Sequence, residues 1–177
     1  MADLRLNLTS IAAVTALALG VPALAAAPTA KLTALDYAEI QQLVNRLSFA
    51  VDYCTRGGKD FADLFVAGGQ YIIDEGKGPP RVIEGPEALA KLAGGPDCKG
   101  LDQPPRSYIA HLSASLVIEP ARGGATGKSY AIYPARKGKY FKEDVAGQVG
   151  VYYDVYVKTK QGWRFKLRRH DSADQGS

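Results

Sequence analysis

Two strand-like runs meet at a tight turn in residues 148–170, QVGVYYDVYVKTKQGWRFKLRRH. Both runs, 148–159 and 163–170, are rich in the β-branched and aromatic residues that are typical of strands. The Gln-Gly pair between them is typical of a hairpin turn. Two earlier runs of the same character, 106–120 and 125–135, flank a Gly-Gly pair. The second half of the chain therefore predicts a meander of long strands.

The first half of the chain has helical periodicity instead. Apolar residues recur at helical spacing through 34–53, and Thr33 with Asp36 has the spacing of a capping box. The remaining elements are predicted as short helices over 59–65 and 87–93, short strands over 70–74 and 81–83, and a turn at Gly68-Gly69. Helices followed by a strand meander predict an α+β fold. We expect one curved antiparallel sheet wrapped around the helices.

The composition is that of a globular domain. The 177 residues are 46 % hydrophobic and 23 % charged, which excludes a disordered or fibrous chain and fits one domain. Two cysteines and two histidines are too few for a zinc ribbon or a multi-histidine metal centre built from this chain alone. A net charge of +4 is too small to predict nucleic-acid binding. The basic residues near the C-terminus are interpreted as a solvated strand face: Lys158, Lys160, Arg164, Lys166, Arg168 and Arg169.

The N-terminal segment has the features of a secretory signal peptide. Residues 11–25 are apolar and uncharged, and Ala23-Leu24-Ala25 has the small-x-small form of a cleavage site. The apolar run is short and contains Pro22, so we expect no stable membrane span after cleavage. The predicted organisation is a signal peptide over 1–25, a domain over 32–170 and a polar tail over 171–177. The protein is then periplasmic or secreted, and the alternative is an uncleaved membrane anchor.

Export changes the interpretation of Cys54 and Cys98, the two cysteines of the chain. In an oxidising compartment an even pair of cysteines is usually a disulfide, which for a loop of this length stabilises by roughly 3–4 kcal/mol. The alternative is a nucleophilic thiol, which lacks a basic cluster with a histidine near either cysteine in sequence. We therefore favour a disulfide.

Residues 123–129, GGATGKS, end like a phosphate-binding loop. The first glycine that such a loop requires would fall at Arg122, so the spacing is one residue short. A helix should follow, but the residues that follow favour a strand. We interpret the segment as a β-hairpin.

Two polar residues lie at positions where their side chains are energetically unfavourable, which suggests a functional role for each. Asp52 closes the first predicted helix, whose C-terminal dipole repels negative charge. His111 lies inside a predicted strand, where burial is costly without a hydrogen-bond partner. An aspartate partner would fix the tautomer of His111 and make it a proton acceptor. The alternatives are a surface aspartate and a structural histidine. On strict alternation, His111 shares one face with Ile109, Ser113, Ser115 and Val117, and the other face carries Leu112, Leu116 and Ile118.

Several segments together resemble the SnoaL-like branch of the nuclear-transport-factor-2-like superfamily. They are the helix ending in Ala-Val-Asp52, the 84–89 segment EGPEAL, the 111–119 strand HLSASLVIE, the 150–154 strand GVYYD and the 162–165 segment GWRF. The resemblance covers about 32–170. It implies a cone-shaped α+β barrel, in which one strongly curved antiparallel sheet wraps around three N-terminal helices. The sheet encloses an apolar pocket whose mouth is closed by helices. Members include dehydratases, a dehydrochlorinase, isomerases and non-enzymatic binding modules.

The resemblance also implies roles for four residues. Asp52 and His111 match the aspartate–histidine pair of the dehydratases and the dehydrochlorinase. Tyr71 matches the tyrosine that polarises the substrate in the dehydratases, and Arg168 matches an arginine of the dehydrochlorinase. By strict alternation Arg168 faces solvent with Arg164 and Lys166, unless a bulge intervenes.

The sequence departs from the family pattern in three places, one of which is a longer loop before His111 that holds Cys98. The lysine of the dehydrochlorinase is replaced by Leu47, and the second histidine of scytalone dehydratase has no counterpart, since Tyr130 and Tyr133 occupy that strand.

The resulting hypothesis is an exported lyase or isomerase that needs no metal or organic cofactor and acts on a small hydrophobic molecule. Catalytic roles fall to Asp52, His111, Tyr71 and Arg168. The alternative is a non-catalytic module of the same fold that binds a hydrophobic ligand or dimerises. A weaker interpretation is a structural subunit like that of ring-hydroxylating dioxygenases. We also expect a homo-oligomer, a dimer or a trimer, in which exposed Tyr152, Tyr153 and Tyr156 would suit sheet-to-sheet contact, although these tyrosines would also suit a core.

Overall fold

The computed structural model describes residues 31–94, 110–133 and 148–172. The predicted signal peptide and Cys98 lie outside these ranges, so neither the export signal nor the cysteine pairing is described. The elements are α1 (Ala34–Asp52), a 3-10 turn (Thr55–Gly58), α2 (Lys59–Ala62), β1 (Phe65–Asp74), β2 (Arg81–Glu84), α3 (Pro86–Gly94), β3 (Leu112–Ala121), β4 (Gly124–Tyr133), β5 (Gln148–Thr159) and β6 (Gly162–Ser172). None of the helices in the described ranges has the length and hydropathy needed to cross a membrane.

Helix α1 forms as the sequence predicts. The Thr33 side chain accepts a hydrogen bond from the Asp36 backbone N–H, and the Asp36 carboxylate accepts one from the Thr33 backbone N–H, which completes the capping box. Its apolar stripe packs into the core with little or no exposure: Ile40, Leu43, Val44, Leu47 and Ala50.

The six strands form one curved, unclosed sheet in the order β2-β1-β6-β5-β4-β3. The α+β class and the curved sheet around three helices are confirmed. The sheet is mixed, because β1 pairs with β6 in parallel while the other neighbours are antiparallel. One hydrogen bond across the sheet demonstrates this curvature. Arg168 on β6 and Ser113 on β3 are hydrogen-bonded, with Nη2 and Oγ 2.9 Å apart, although two strands separate β3 from β6 in the sheet.

Two bulges change which side chains face the interior. On β3 the extra residue lies between Ala114 and Val117, where Ser115 adopts a φ of +55°. Beyond it Val117 faces out and Leu116 turns inward, so the strict alternation predicted for this strand is wrong. His111 itself lies just before β3 and not inside a strand.

The second bulge, at Lys166 on β6, reverses the alternation in the same way. Trp163 and Phe165 face inward before it, and Arg168 and His170 face inward after it. The interpretation of Arg168 as part of a solvated face is therefore wrong, and the bulge is the physical reason.

Four further details can be compared with the sequence-based expectations. Gly68-Gly69 is not a turn but lies inside β1, at the irregular part of its pairing with β6. Helix α2 ends at Ala62, because the chain already enters β1 at Phe65. The 123–129 segment is a β-hairpin, as expected. On β5, Tyr152 and Tyr156 are core residues, and Tyr153 faces solvent.

Candidate active site

Asp52 and His111 are in direct contact. Asp52 is the last residue of α1, and His111 immediately precedes β3. Nδ1 of His111 lies 2.5 Å from Oδ1 of Asp52. An ionised carboxylate has no hydrogen to donate, so Nδ1–H is the donor in this contact. The Asp52 side chain is 10 % exposed and that of His111 is 28 % exposed, so the pair is sheltered but His111 stays reachable.

The backbone of His111 strengthens the same contact. Its N–H also donates to the Asp52 carboxylate, with N to Oδ2 3.1 Å and N to Oδ1 3.3 Å. Two groups of one residue therefore hold the carboxylate, which fixes both the ring orientation and its tautomer. With Nδ1 committed to Asp52, Nε2 is the nitrogen that retains a lone pair for accepting a proton.

An aromatic cluster lies beside this pair on the concave face of the sheet. The Tyr133 ring stands edge-on to the His111 ring, with centroids 4.9 Å apart, and edge-on to the His170 ring at 5.2 Å. The hydroxyls of Tyr133 and Tyr152 are hydrogen-bonded to each other. His170 is buried, and its Nε2 has no hydrogen-bond partner among the described residues. Sequence reasoning assigned no catalytic role to Tyr133, Tyr152 or His170.

Arg168 is fully buried at the base of this cluster. Its guanidinium carbon lies 3.7 Å from the centroid of the Tyr152 ring, a close cation–π contact. Nε lies 3.4 Å from Oδ1 of Asp154, and Nη2 donates to Oγ of Ser113. Within the described ranges Nη1 has no hydrogen-bond partner. The arginine thus joins β5, β6 and β3, and its charge is partly balanced by Asp154.

Tyr71 lies next to Arg168, and the structure describes no ring contact or hydrogen bond between Tyr71 and His111. Tyr71 and Arg168 are register neighbours on β1 and β6, and Tyr71 packs edge-on against Phe61 with ring centroids 5.8 Å apart. Tyr71 is 7 % exposed. The four predicted residues therefore fall into two pairs, Asp52 with His111 and Tyr71 with Arg168. Ser113 and the tyrosine cluster connect the pairs.

Burial shifts the titration of the interior groups. Burial raises the pKa of Tyr71, Tyr133 and Tyr152 above the ordinary tyrosine value, so all three hydroxyls stay protonated donors. The three hydroxyls lie close enough together that each affects the pKa of the other two. Burial, with Arg168 and His111 nearby, lowers the pKa of His170 and favours its neutral form.

Two cavities lined by described residues lie away from this cluster. One of about 710 Å³ lies between α1, α2 and the β5–β6 turn, and one of about 430 Å³ lies on the other side, against β3, β4 and β5. Neither is lined by Asp52 or His111. In the part of the chain that the structure describes, no three His, Cys, Asp or Glu side chains are grouped to hold a metal ion.

The sequence contains only weak indications of the site residues that sequence reasoning missed. His170 is one of two histidines, and it shares the parity of Arg168. A bulge at Lys166 would have turned both inward together, but local sequence does not reveal that bulge. Tyr133 was noted on its strand, but only the tertiary structure brings it to His111.

Comparison with known proteins places this geometry in a wider context. A family model described as SnoaL-like domain matches residues 32–169. A comparison with curated proteins returned no match.

Solved structures share the fold at low sequence identity. An NTF2-like protein with a cystatin-like fold from Novosphingobium aromaticivorans has a TM-score of 0.61 and 20 % identity, covering 81 % of this chain and 85 % of that one. LinA has a TM-score of 0.56 and 21 % identity, covering 78 % and 88 %. A protein from N. aromaticivorans that is provisionally named a scytalone dehydratase has a TM-score of 0.52 and 22 % identity, covering 78 % and 85 %.

Proposed function

The chain belongs to the SnoaL-like family, and on this premise we propose that it is a cofactor-independent lyase or isomerase acting on a small hydrophobic substrate. The observation that carries the proposal is the 2.5 Å contact between Nδ1 of His111 and Oδ1 of Asp52. This contact leaves Nε2 of a partly exposed imidazole free to take a proton. A structural neighbour provisionally named a scytalone dehydratase is consistent with elimination chemistry.

In the proposed mechanism His111 removes a proton from a carbon next to a carbonyl or a leaving group. Asp52 stabilises the imidazolium that forms, because its carboxylate is held against Nδ1–H. The electron pair of the broken C–H bond then forms a double bond, which expels the leaving group or shifts an existing double bond. The imidazolium returns its proton to the leaving group or to another carbon.

Two further residues act on the charge that develops. Tyr71 belongs to a set of buried hydroxyls that stay protonated and can donate to an oxygen that gains charge. Arg168 supplies a fixed positive charge beneath those hydroxyls, and its Nη1 has no hydrogen-bond partner among the described residues. The Asp154 ion pair limits this charge, so we assign Arg168 to supporting the donors and a leaving anion.

The direct test is deuterium uptake from D₂O by a panel of small hydrophobic ketones, some with a hydroxyl or halide on the neighbouring carbon, followed by NMR. Uptake reports proton removal even where nothing leaves. We expect His111→Ala and Asp52→Asn to abolish most of the wild-type rate, while Asp63→Asn, an exposed helix-end carboxylate, keeps it. Equal rates in all variants would refute the proposal. A wild type that binds these ketones without exchange would support the binding module instead.

A separate observation favours association between two copies of the chain. Five large apolar side chains are exposed on the convex face of β3, β4 and β5: Leu112, Val117, Tyr130, Val149 and Tyr153. They are contiguous, because Leu112 and Val149 both lie beside Ile132, and Val117 and Tyr153 both lie beside Lys128. We propose that a second copy of the chain covers this face. Val149→Lys should then reduce the mass measured by light scattering to that of a monomer.

The proposed place of action is the periplasm or the exterior, after removal of residues 1–25. Intact-mass measurement of protein secreted from its host checks this, because a mass that includes residues 1–25 would contradict cleavage.

A further inference from the structure

Among the described tyrosines, Tyr133 is the one whose ring contacts the ring of the proposed base. Its ring is held edge-on between the two imidazoles, with interplanar angles of 89° to His111 and 85° to His170. Edge-to-face contacts of this kind fix a ring without enclosing its hydroxyl. Unlike Tyr71, Tyr133 is only partly buried, so its hydroxyl is the member of the tyrosine cluster best placed to meet a ligand beside His111.

The Tyr133 hydroxyl is also supported from behind. It is hydrogen-bonded to Tyr152, whose ring lies over the Arg168 guanidinium. The positive charge draws electron density from the Tyr152 ring and makes its hydroxyl the better donor of the pair. When Tyr152 donates to the Tyr133 oxygen, the Tyr133 hydrogen is left to donate either to the nearby Tyr71 hydroxyl or to a ligand.

From this arrangement we propose that Tyr133 is the catalytic hydrogen-bond donor to the substrate oxygen, and that the substrate is therefore a carbonyl compound with a hydrogen on the adjacent carbon. Tyr152 and Arg168 support Tyr133 as positioning residues, and Tyr71, which is more buried, is the secondary donor of the cluster. The inference rests on the proposed function, in which His111 removes that hydrogen.

The step balances without any added reagent. His111 Nε2 takes the proton, the C–H electron pair becomes a C=C bond, and the carbonyl π pair moves onto oxygen as an enolate. Tyr133 keeps its own proton and stabilises the enolate by a hydrogen bond whose strength grows as the charge develops. Burial raises the pKa of Tyr133, which keeps the hydroxyl protonated throughout.

The inference can be tested by binding alone, with p-nitrophenol as the probe. Its phenolate mimics an enolate oxygen and absorbs near 400 nm, while the phenol does not. At a fixed pH below the pKa of the free probe, wild-type protein should increase the absorbance, because the site binds the phenolate more tightly than the phenol. We expect Tyr133→Phe to weaken phenolate binding by about 10-fold or more, given the strength of hydrogen bonds to charged groups. Tyr37→Phe is the matched control, since it removes an exposed hydroxyl on α1, away from the site and from the proposed interface.

Kinetics give the second readout. Loss of one such donor lowers kcat by about 10²–10³-fold, so Tyr133→Phe should lower kcat for deuterium uptake with little change in KM. Tyr71→Phe, which removes the secondary donor, should cost less. Unchanged phenolate binding in Tyr133→Phe, or a wild type that does not favour the phenolate, would overturn the inference. A wild type that favours the phenolate through Tyr133 but exchanges no ketone would uphold the donor site and refute the lyase or isomerase.

Discussion

Helix α1 carries a sheltered carboxylate near each end, and the two are held in opposite ways. Asp36 lies in the first turn, where the helix dipole favours negative charge. It accepts hydrogen bonds from Thr33 at 2.9 Å (N) and 2.7 Å (Oγ1), from Lys158 at 2.6 Å and from Trp163 at 3.0 Å. The Asp36 carboxylate therefore links helix α1 to strands β5 and β6 through Lys158 and Trp163, which is a structural role.

Asp52 lies at the other end, where the dipole opposes negative charge. The donors that the structure describes for it are the ring and the backbone of one residue, His111. A histidine differs from a lysine or a tryptophan because its second nitrogen stays available after the first is bound. The contrast shows that burial and hydrogen bonding of a carboxylate do not by themselves mark a reactive site. A reactive site also needs a hydrogen-bond partner that keeps a group able to accept a proton.

The largest expected effect comes from the same substitution at both ends. Asp52→Asn should lower the deuterium-uptake rate by about 10²–10⁴-fold, with little change in Tm, because it removes a charge that the helix dipole disfavours. Asp36→Asn should lower Tm but leave the rate of the folded protein unchanged. Rate assays at a temperature where both variants are folded, with melting curves by circular dichroism, check both. If Asp36→Asn lost activity and Asp52→Asn lost stability, the assignment would be reversed.

The next effect concerns the buried ion pair between Arg168 and Asp154. Arg168→Met leaves Asp154 buried without its partner, which should destabilise by about 3–5 kcal/mol in urea unfolding. Arg168→Met combined with Asp154→Leu should recover much of that loss, because no buried charge remains. Lys166→Met, an exposed neighbour on β6, is the control. A single Arg168→Met variant as stable as the control would show that the pair contributes little.

The cysteine prediction bears on the Asp52 end of α1, since Cys54 follows the helix closely and is buried. If Cys54 and Cys98 form a disulfide, Cys98→Ala should destabilise by roughly 3–4 kcal/mol, and the wild type should lose a similar amount in reductant. Mass spectrometry with and without reduction before alkylation counts the free thiols. Two alkylated cysteines in the unreduced protein would exclude the disulfide.

The smallest effect is a pH dependence at the Asp36 end. Hydrogen bonds from Lys158 and then Thr33 hold the pKa of Asp36 in the folded protein well below its ordinary value of 3.8. Its contribution to stability is therefore complete above about pH 5 and is lost as the pH falls below the unfolded value. The Tm difference between wild type and Asp36→Asn should narrow between about pH 5 and pH 3. A difference that stays constant over this range would show that the charge of Asp36 does not contribute.

Much of the fold could be predicted from sequence because its signals are local. The capping box needs only Thr33 and Asp36 at the right spacing, and the apolar stripe of α1 needs only helical periodicity. The strand meander follows from composition and glycine-containing turns. The Asp52–His111 pairing was predicted from a family resemblance, and the structure places the two side chains in contact. Their catalytic role stays a prediction.

Tertiary structure alone decided which side chains share the interior. A one-residue bulge at Lys166 turns Arg168 and His170 inward, and a second bulge near Ser115 reverses the inward–outward alternation of side chains on β3. Neither bulge is marked by a recognisable sequence motif. The parallel pairing of β1 with β6 and the curvature that brings Ser113 to Arg168 depend on contacts between residues far apart in the chain. The periodicity of a strand specifies alternation but not the point where it slips, because a slip is stabilised by the packing of neighbouring strands. For that reason the sequence determined the elements and the Asp52 end of the site, and packing determined the tyrosine cluster beside it.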